Sequence, residues 1–273
     1  MICKWILETV MLSNLDNLSS FYKIYPIMCQ LESNEKDEEL SKACSRTLAV
    51  LAQTLTHPHH VPAALEAVTA ISKSTSWSAR ASCLEFLQVL VFHNMSILLS
   101  NEAWISEIQN IVLHLLEDER LEVREMAAKV LGGLLHCTIL PNEEALLDEF
   151  KKKARTKLGN KRKRMSEKEE EKSGVTNKII NAARLRHAGV LGMCAFIQAH
   201  PYNVPEIIPP IFDCLSPHLN DPEPIPSTIR KTLNDFKRTH CDAWTGLQGL
   251  AERFTEEQFA LLQDLTVPPS YYA

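Results

Sequence analysis

The segment WISEIQNIVLHLLEDERLEVREMAAKVLGGLL, residues 104–135, contains two amphipathic helix patterns separated by a short acidic turn. Its first half places apolar residues on one helical face, namely Trp104, Ile105, Ile108, Ile111, Val112, Leu115 and Leu116. Its second half does the same with Val123, Met126, Ala127, Val130, Leu131, Leu134 and Leu135. Two helices joined by a turn of about five residues must pack antiparallel, because their apolar faces otherwise remain in water. The segment therefore predicts a helical hairpin.

The second helix of this hairpin recurs along the chain. The pattern headed by Val123-Arg124 aligns with patterns headed by Ala79-Arg80, Leu185-Arg186 and Ile229-Arg230, at spacings of 44, 62 and 44 residues. Cys44-Ser45-Arg46 is a candidate start for an earlier, shorter repeat. A period of about 40–47 residues is typical of HEAT repeats. The longer middle interval contains a strongly charged run.

The hairpin also resembles HEAT repeats in its individual residues: Asp118, Val123-Arg124 and Ala127-Ala128 stand at matching places. In that family the Asp and Arg of successive repeats form a ladder between neighbours, and small Ala residues let helices approach closely. Glycine is scarce at 8 residues, and strand-like alternation is nearly absent. We therefore predict an all-α fold, an α-solenoid of HEAT-like antiparallel helix pairs of the armadillo-like class. An unrelated helical bundle is the alternative.

Composition excludes several classes of protein. The net charge of −5 over 273 residues does not by itself suggest a nucleic-acid partner. The eight cysteines lie far apart without a CxxC pair, which favours buried, reduced thiols of an intracellular protein over a disulfide framework. No secretory signal is visible, and no apolar run reaches the roughly 18 residues of a membrane span. We expect a soluble protein with no membrane partner. Its first residues already resemble the middle of a helix, so we expect a piece of a longer protein.

The charged run divides the predicted repeats. Nine Lys or Arg residues lie between positions 151 and 164, ending in Lys161, Arg162, Lys163 and Arg164, and several glutamates follow. Three interpretations remain: a solvated loop, a nuclear import signal, and contact with DNA or another anionic ligand. The neighbouring glutamates and the lack of aromatic residues for stacking disfavour direct nucleic-acid contact. We predict HEAT-like repeats over 1–150, a charged, disordered loop over 151–175, HEAT-like repeats over 176–265 and a separate tail over 266–273.

Catalytic and metal-binding motifs are absent from the sequence: no GxGxxG, GxxxxGK[ST], GxSxG, HExxH or paired CxxC pattern occurs. The cluster of His57, His59 and His60 surrounds Pro58, which favours a surface turn over a metal site. His136-Cys137 and His240-Cys241 are adjacent pairs, whose side chains point about 100° apart on a helix and chelate poorly. We therefore predict a protein that holds partners, not an enzyme, with no metal and no cofactor.

The carboxyl end carries a well-specified helix followed by an extended tail. Thr255-Glu-Glu-Gln258 has the form of a capping box, and Phe259, Leu262 and Leu265 make the apolar side of the helix. The pair Pro268-Pro269 then stops the helix and extends the chain, because the residue before a proline disfavours the α region. We expect the last residues, Tyr271, Tyr272 and Ala273, to be held away from the body.

These last three residues resemble the hydrophobic–Tyr–any residue tail by which proteasome activators dock on the 20S core particle. A HEAT solenoid with this tail and a basic insertion is similar to the C-terminal part of the large single-chain activators of that family. The resemblance implies that the tail enters a pocket between adjacent α-subunits of the core particle. The Ala273 carboxylate would pair with a pocket lysine, Tyr272 would bury its ring and shift the gate toward open, and Tyr271 would add apolar contact.

The resemblance also implies what the molecule does. It implies an ATP-independent activator, present in the nucleus and the cytosol, that promotes ubiquitin-independent degradation, including that of acetylated histones, with links to DNA repair and spermatogenesis. A bromodomain-like region would fall over residues 80–168. No acetyl-lysine pocket is assigned there. Asn142 is the obvious candidate for an asparagine that anchors the acetyl group, but its position favours a helix N-cap. The alternative is a HEAT-repeat scaffold or transport adaptor that binds peptide segments on its concave face. A nucleic-acid-binding solenoid is a third class, which steep salt dependence would reveal.

Overall fold

The computed structural model describes residues 2–3, 5–6, 18–32, 37–158, 169–240 and 253–265. It divides the chain into two compact units, Met1–Leu140 (unit 1) and Pro141–Ala273 (unit 2). Within the described ranges all regular secondary structure is helical, which confirms the all-α prediction. No helix in these ranges combines the length and the apolar composition needed to cross a lipid bilayer.

Unit 1 is built of helical hairpins. Its α-helices are α1 Leu18–Tyr22, α2 Tyr25–Glu32, α3 Glu38–Gln53, α4 Val61–Ser72, α5 Trp77–His93, α6 Met95–Leu98, α7 Glu102–Leu116 and α8 Leu121–His136, with a short 3₁₀ helix at Pro58–His60. The pairs α2–α3, α4–α5 and α7–α8 pack as hairpins, and each second helix packs against the next one along the chain. The first helices pack in the same way, so unit 1 has the two-layered HEAT-like architecture that the repeat predicted.

Unit 2 contains α9 Glu143–Ala154, α10 Glu169–Gln198, α11 Pro209–Leu215, α12 Ile225–Thr239 and α13 Glu256–Leu265, with a 3₁₀ helix at Ser216–Asn220. The long helix α10 packs against both α9 and α12. The last helix, α13, packs against α12 and α11. The end of unit 2 is therefore a small helical cluster around α12.

The hairpin predicted from residues 104–135 is confirmed as α7 and α8. Of the residues assigned to its two apolar faces, only Trp104 and Met126 are half-buried, and all the others are buried. Helix α7 starts where the Asn101 side chain accepts a hydrogen bond from the backbone amide of Ala103. The turn before α8 is fixed by Asp118, whose carboxylate accepts a bond from the Arg120 amide at 2.9 Å. The burial pattern and the capping hydrogen bonds thus agree on the positions of α7 and α8.

The predicted ladder between successive repeats is present in both units. In unit 1, Arg80 forms a two-point ion pair with Asp118, with Nε–Oδ2 and Nη2–Oδ1 distances of 2.6 and 2.8 Å. In unit 2, Arg186 Nη1 lies 2.5 Å from Asp221 Oδ1. In each pair the Arg belongs to one repeat and the Asp to the next. In the pattern headed by Ile229-Arg230 the arginine is exposed, unlike Arg80 and Arg186.

The repeated arginine also holds the turn of its own repeat, as Arg80 and Arg124 show. Arg80 Nη1 donates to the carbonyl oxygens of Ser74 and Thr75, and Arg124 Nη1 donates to those of Asp118 and Glu119. The two sets of contacts are equivalent under the 44-residue period. The hydrogen bond to Asp118 and the attraction of that carboxylate raise the pKa of Arg80, so its guanidinium stays charged although it is buried. Each of these arginines therefore joins a turn to a helix.

Small residues allow the close helix approach that the repeat implied. Gly189 takes the place of Ala127 in the third pattern. A Cβ atom built at Gly189 would overlap the backbone nitrogen of Ala154 and lie 2.6 Å from the carbonyl oxygen of Phe150. Real Cβ atoms do not come this close to backbone atoms. Helices α9 and α10 therefore touch through their main chains at this glycine.

The charged segment is helical over more of its length than its composition predicted. The disordered loop was predicted over 151–175, but α9 continues to Ala154 and α10 begins at Glu169. Phe150 and Ala154 are buried and hold the last turn of α9, and Lys153 pairs with Glu149 at 2.6 Å. Basic residues are also favourable at a helix C-terminus, where the macrodipole is negative. The two units divide at residue 140, ahead of the charged run.

Asn142 occupies the N-cap position of α9, as predicted, but its side chain does not cap the helix. Its backbone is left-handed, with φ of 55°, and its side chain makes no capping hydrogen bond. Asparagine is one of the few residues that tolerate this conformation. The residue therefore serves the turn between Pro141 and α9 through its backbone.

Candidate functional site

The helix that leads to the carboxyl end, α13, starts with the predicted capping box. The Thr255 hydroxyl oxygen accepts from the Gln258 amide at 3.2 Å, and the Gln258 side-chain oxygen accepts from the Thr255 amide at 3.0 Å. Each side chain thus satisfies an amide that the first helical turn leaves without an intrahelical partner. The capping box is confirmed, and it fixes where α13 begins.

Gln258 has a second contact that the capping pattern did not predict. Its side-chain nitrogen donates to the Asp213 carboxylate of α11 at 2.7 Å, and Gln258 is buried. Just before α13, Arg253 donates to the carbonyl oxygen of Val204 at 2.6 Å. These two polar contacts tie the start of α13 to parts of the chain more than 40 residues earlier. No local sequence signal marks Asp213 or Val204 for this role.

An aromatic cluster anchors the same helix start. Phe254 lies edge-on to Phe212 of α11 and to Phe236 of α12, with ring-centroid distances of 5.3 and 6.0 Å. Phe212 and Phe236 are 5.4 Å apart and complete the cluster. Within α13, Leu262 is buried as predicted, whereas Phe259 is only half-buried. Buried aromatic rings with edge-to-face contacts give a firm apolar anchor.

The two predicted functional segments lie outside the described residues. These are the docking residues Tyr271, Tyr272 and Ala273 and the basic cluster Lys161, Arg162, Lys163 and Arg164. The structure does describe the helix that precedes the tail. This helix, α13, is held by the capping box, by Asp213 and by the Phe254 cluster. At the end of α9, Lys151 and Lys153 pair with Asp148 and Glu149, so part of the basic charge there is offset.

A groove of about 430 Å³ lies across the second helices of the unit 1 hairpins. It is lined mainly by apolar atoms of α5 and α8, with the side chain of Gln53 from α3. Phe92, which lines this groove, is 65% exposed. Gln88, His93 and His136 add polar groups to the lining. A volume of this size is within the range of ligand pockets.

His59 and His60 lie in the 3₁₀ helix Pro58–His60, and His57 directly precedes it. His57 and His59 are exposed and their Nδ1 atoms lie 2.6 Å apart. His60 is buried, contrary to the expected surface turn, and its Nδ1 lies 2.5 Å from the Ser19 hydroxyl of α1. Packing against α1 explains its burial. Among the described residues, no group of three or more His, Cys, Asp or Glu side chains is arranged to hold a metal ion.

Seven of the eight cysteines are described, and all seven are free thiols. Cys29, Cys44, Cys83 and Cys194 are buried, whereas Cys3, Cys137 and Cys214 are half-buried. Burial raises the pKa of Cys29 to about 11 and those of Cys44 and Cys194 to about 12, and it raises the pKa of Cys83 further. The four buried side chains are therefore neutral thiols at pH 7, as expected for small core residues.

Comparisons with known proteins point to one family. The family profile described as "Proteasome activator complex subunit 4-like, C-terminal" matches residues 183–273. Proteasome activator complex subunit 4 of Bos taurus and that of Homo sapiens are each 40% identical over 281 residues, covering 100% of this chain. The chain spans 14% of the length of these relatives. A solved structure of computationally designed armadillo repeat proteins for modular peptide recognition is 15% identical, with a TM-score of 0.30, over 88% of this chain and 98% of that one.

Proposed function

Because this chain is a homologue of proteasome activator complex subunit 4 along its whole length, we propose that it is the part of such an activator that docks on the 20S core particle. The relatives' name and the helical-repeat fold point to a non-catalytic activator or scaffold. The observation that carries the proposal is the anchored helix α13. It directly precedes residues 266–273, and it lies within the part of the chain that the family profile matches.

In this proposal the docking elements are Tyr271, Tyr272 and Ala273. The terminal carboxylate of Ala273 pairs with a lysine in a pocket between α-subunits, and Tyr272 buries its ring there. A buried ring contributes about 1.5–3 kcal/mol, and a charged hydrogen bond about 1.5–3 kcal/mol. Association costs at least about 4 kcal/mol. The tail therefore binds weakly alone, and the remaining repeats add contacts that act with it by avidity.

An anchored α13 makes this docking more favourable. A tail that begins at a fixed point explores a smaller volume than one that begins on a frayed helix, so its effective concentration at the pocket is higher. Gln258 is the residue that joins the capping box to Asp213. It is therefore a positioning residue in the proposed docking. The further steps, gate opening without ATP and ubiquitin-independent degradation, are part of the same proposal for the whole activator.

The test is recovery of purified 20S particles by the immobilised chain. Tyr272→Ala is expected to weaken recovery at least about tenfold, because the buried ring is lost. Deletion of Tyr271–Ala273 is expected to abolish recovery. Gln258→Ala, which keeps the tail sequence, is expected to give an intermediate loss. Tyr202→Ala is the matched control, since Tyr202 is 90% exposed in unit 2 and should not matter.

Undiminished recovery after the tail deletion would contradict the docking proposal. It would favour the alternative, a HEAT-repeat scaffold or transport adaptor that binds peptide segments along its helices. Steep loss of binding to nucleic acid with rising salt, removed by neutralising Lys161–Arg164, would instead favour the nucleic-acid-binding class.

We also propose that the region over residues 80–168 binds acetylated histones. The groove beside Phe92 supports this, because most of its lining falls in that region and combines apolar atoms with the Gln88 amide. Removing the charge of lysine by acetylation makes its burial in such a groove less costly. An acetylated histone peptide is therefore expected to bind at least several-fold more tightly than the unmodified peptide, measured by fluorescence anisotropy.

Phe92→Ala should remove most of this preference, since it removes the exposed ring at the groove. Leu55→Ala is the control, because Leu55 is 75% exposed and does not line the groove. Equal affinity of the wild-type protein for both peptides would refute the acetyl-lysine proposal.

The proposed location is the nucleus and the cytosol, with Lys161–Arg164 acting as an import signal. A role in DNA repair and spermatogenesis belongs to the same proposal, since histone turnover takes place in the nucleus. The cellular distribution of a fluorescent fusion tests the import signal. Replacement of these four residues by alanine should shift the fusion toward the cytosol, and an unchanged distribution would refute the signal.

A further inference from the structure

Two cysteines far apart in the sequence lie side by side in unit 1. The Sγ atoms of Cys3 and Cys44 are 3.9 Å apart, although 41 residues separate them. Cys44 lies in the middle of α3 and is fully buried, whereas Cys3 is half-buried. The pair therefore has one thiol that solvent reaches and one that it does not. Cys29, which lies near Cys44, and Cys83 are both fully buried and lack this asymmetry.

The short helical stretch that carries Cys3 is held in place by its neighbours. Ile6 is buried, and the Trp5 ring packs edge-on against Phe21 of α1 at a centroid distance of 5.6 Å. These contacts keep Cys3 near α3 without any covalent link. The approach of the two thiols is therefore a product of packing by the residues that follow Cys3.

We propose that Cys3 and Cys44 are a reversible oxidation site, at which a peroxide-class oxidant forms a disulfide between the start of the chain and α3. A disulfide bond is about 2.05 Å long, so the sulfurs must approach by about 1.9 Å from their distance of 3.9 Å. Rotation about the Cα–Cβ bonds together with a small shift of the backbone around Cys3 provides this movement.

The chemistry proceeds in two steps. The Cys3 thiolate attacks the peroxide, breaks its O–O bond and becomes a sulfenic acid, releasing one water after proton transfer. The Cys44 sulfur then attacks the Cys3 sulfur and displaces the sulfenic oxygen, which leaves as a second water with the Cys44 proton. Two thiols have then lost two electrons, and one hydrogen peroxide has been reduced to two waters.

The surroundings of the two thiols assign these roles. Burial, followed by the proximity of Cys3, raises the pKa of Cys44 to about 12, so Cys44 is a protonated thiol at pH 7. The charge of Glu32 and the nearby Cys29 act in the same direction. The Glu32 carboxylate is itself bound by the hydroxyl groups of Ser45 and Ser82. A neutral buried thiol is a poor first target for an oxidant, which leaves the accessible Cys3 to react first.

The expected consequence is a covalent clamp on unit 1. The bond closes a loop between residues 3 and 44 and ties the first helical stretch to α3. Cross-linking removes conformational freedom mainly from the unfolded chain. The thermal unfolding midpoint of the oxidised protein should therefore rise by about 5 °C over that of the reduced protein.

The experiment treats the full chain with stoichiometric hydrogen peroxide at pH 7, alkylates the remaining thiols and maps disulfides by mass spectrometry without reduction. The expected result is one cross-linked peptide pair containing Cys3 and Cys44, a mass loss of two hydrogens, and reversal by dithiothreitol. Cys3→Ser and Cys44→Ser should each abolish the cross-link and the thermal shift. Cys137→Ser is the matched control, because Cys137 is also half-buried in unit 1 and should leave both unchanged.

Three outcomes would overturn the proposal. One is a wild-type protein in which Cys3 stops at sulfenic or sulfinic acid without a cross-link. Another is a cross-link through Cys137 or Cys214 in place of Cys44. The third is an unchanged unfolding midpoint once the Cys3–Cys44 bond has formed. Cys3→Ser keeps the test valid if Cys44→Ser disturbs the core, because Cys3 is only half-buried.

Discussion

Gly189→Ala is expected to lower the free energy of unfolding of unit 2 by about 3 kcal/mol, at the upper end of the range for overpacked sites. The added Cβ would meet the backbone of Ala154 and the carbonyl oxygen of Phe150, and backbone atoms of a neighbouring helix cannot rotate away. Alanine favours helix over glycine by about 1 kcal/mol, which offsets only part of the loss. The clash therefore outweighs the gain in helix propensity, and the net change is destabilising. Urea denaturation followed by circular dichroism measures the change in the free energy of unfolding.

Gly133→Ala is the matched control, because Gly133 also lies inside a helix. A Cβ there would meet only the end of the Gln88 side chain, at 3.2 Å. Gln88 is flexible and only half-buried, so we expect a change between neutral and about 1 kcal/mol of stabilisation from helix propensity. If both variants unfolded at the same urea concentration as the wild type, the close contact of α9 with α10 would be refuted.

Asp118→Ala is expected to destabilise unit 1 by about 3–5 kcal/mol, the usual cost of breaking a buried ion pair by removing one partner. The Arg80 and Asp118 side chains are only 7% and 8% exposed, so the buried guanidinium would lose its buried partner and keep only the Glu119 carboxylate, which is 71% exposed and 3.6 Å away. The Arg120 amide would also lose its acceptor in the turn. The free energy of unfolding from urea titration measures the effect.

Two further variants separate the ion pair from other effects. Glu122→Ala breaks the exposed pair with Arg120, whose side chains are 47% and 55% exposed, and should cost less than about 1 kcal/mol. The double variant Arg80→Met with Asp118→Leu removes both charges and should be less destabilised than Asp118→Ala alone. A small effect of Asp118→Ala, equal to that of Glu122→Ala, would mean that the ladder pair does not hold successive repeats together.

The local pattern predicted the parts of the fold that depend on neighbours along the chain. The apolar residues of α7 and α8 recur every three to four positions, and the buried faces follow them. The arginine and aspartate of the repeat predicted the ladder, because each repeat meets the next in the same register. The Thr255–Gln258 spacing predicted a cap that needs no other element. The end of α9 inside the charged run was missed, because burial of Phe150 and Ala154 against α10 was not visible locally.

At the candidate site, too, the sequence predicted some features and missed others. The sequence alone named the tail, through the resemblance of its last three residues, and the basic cluster, through its charge. It did not name Asp213, Val204 or the ring cluster around Phe254, which hold α13 in place. These contacts join residues more than 40 positions apart, and no periodic signal connects them.

The amino-acid sequence by itself determined that the chain forms stacked helix pairs, where the hairpins turn and which residues face inward, because those properties follow from a helical period of 3.6 and a repeat near 44 residues. Only the tertiary structure decided which thiols meet, which glycine touches a neighbouring backbone and which carboxylate receives Gln258. Such contacts depend on the angle and register of packed helices to within an ångström or so. The order of residues along the chain does not determine distances between helices to that precision.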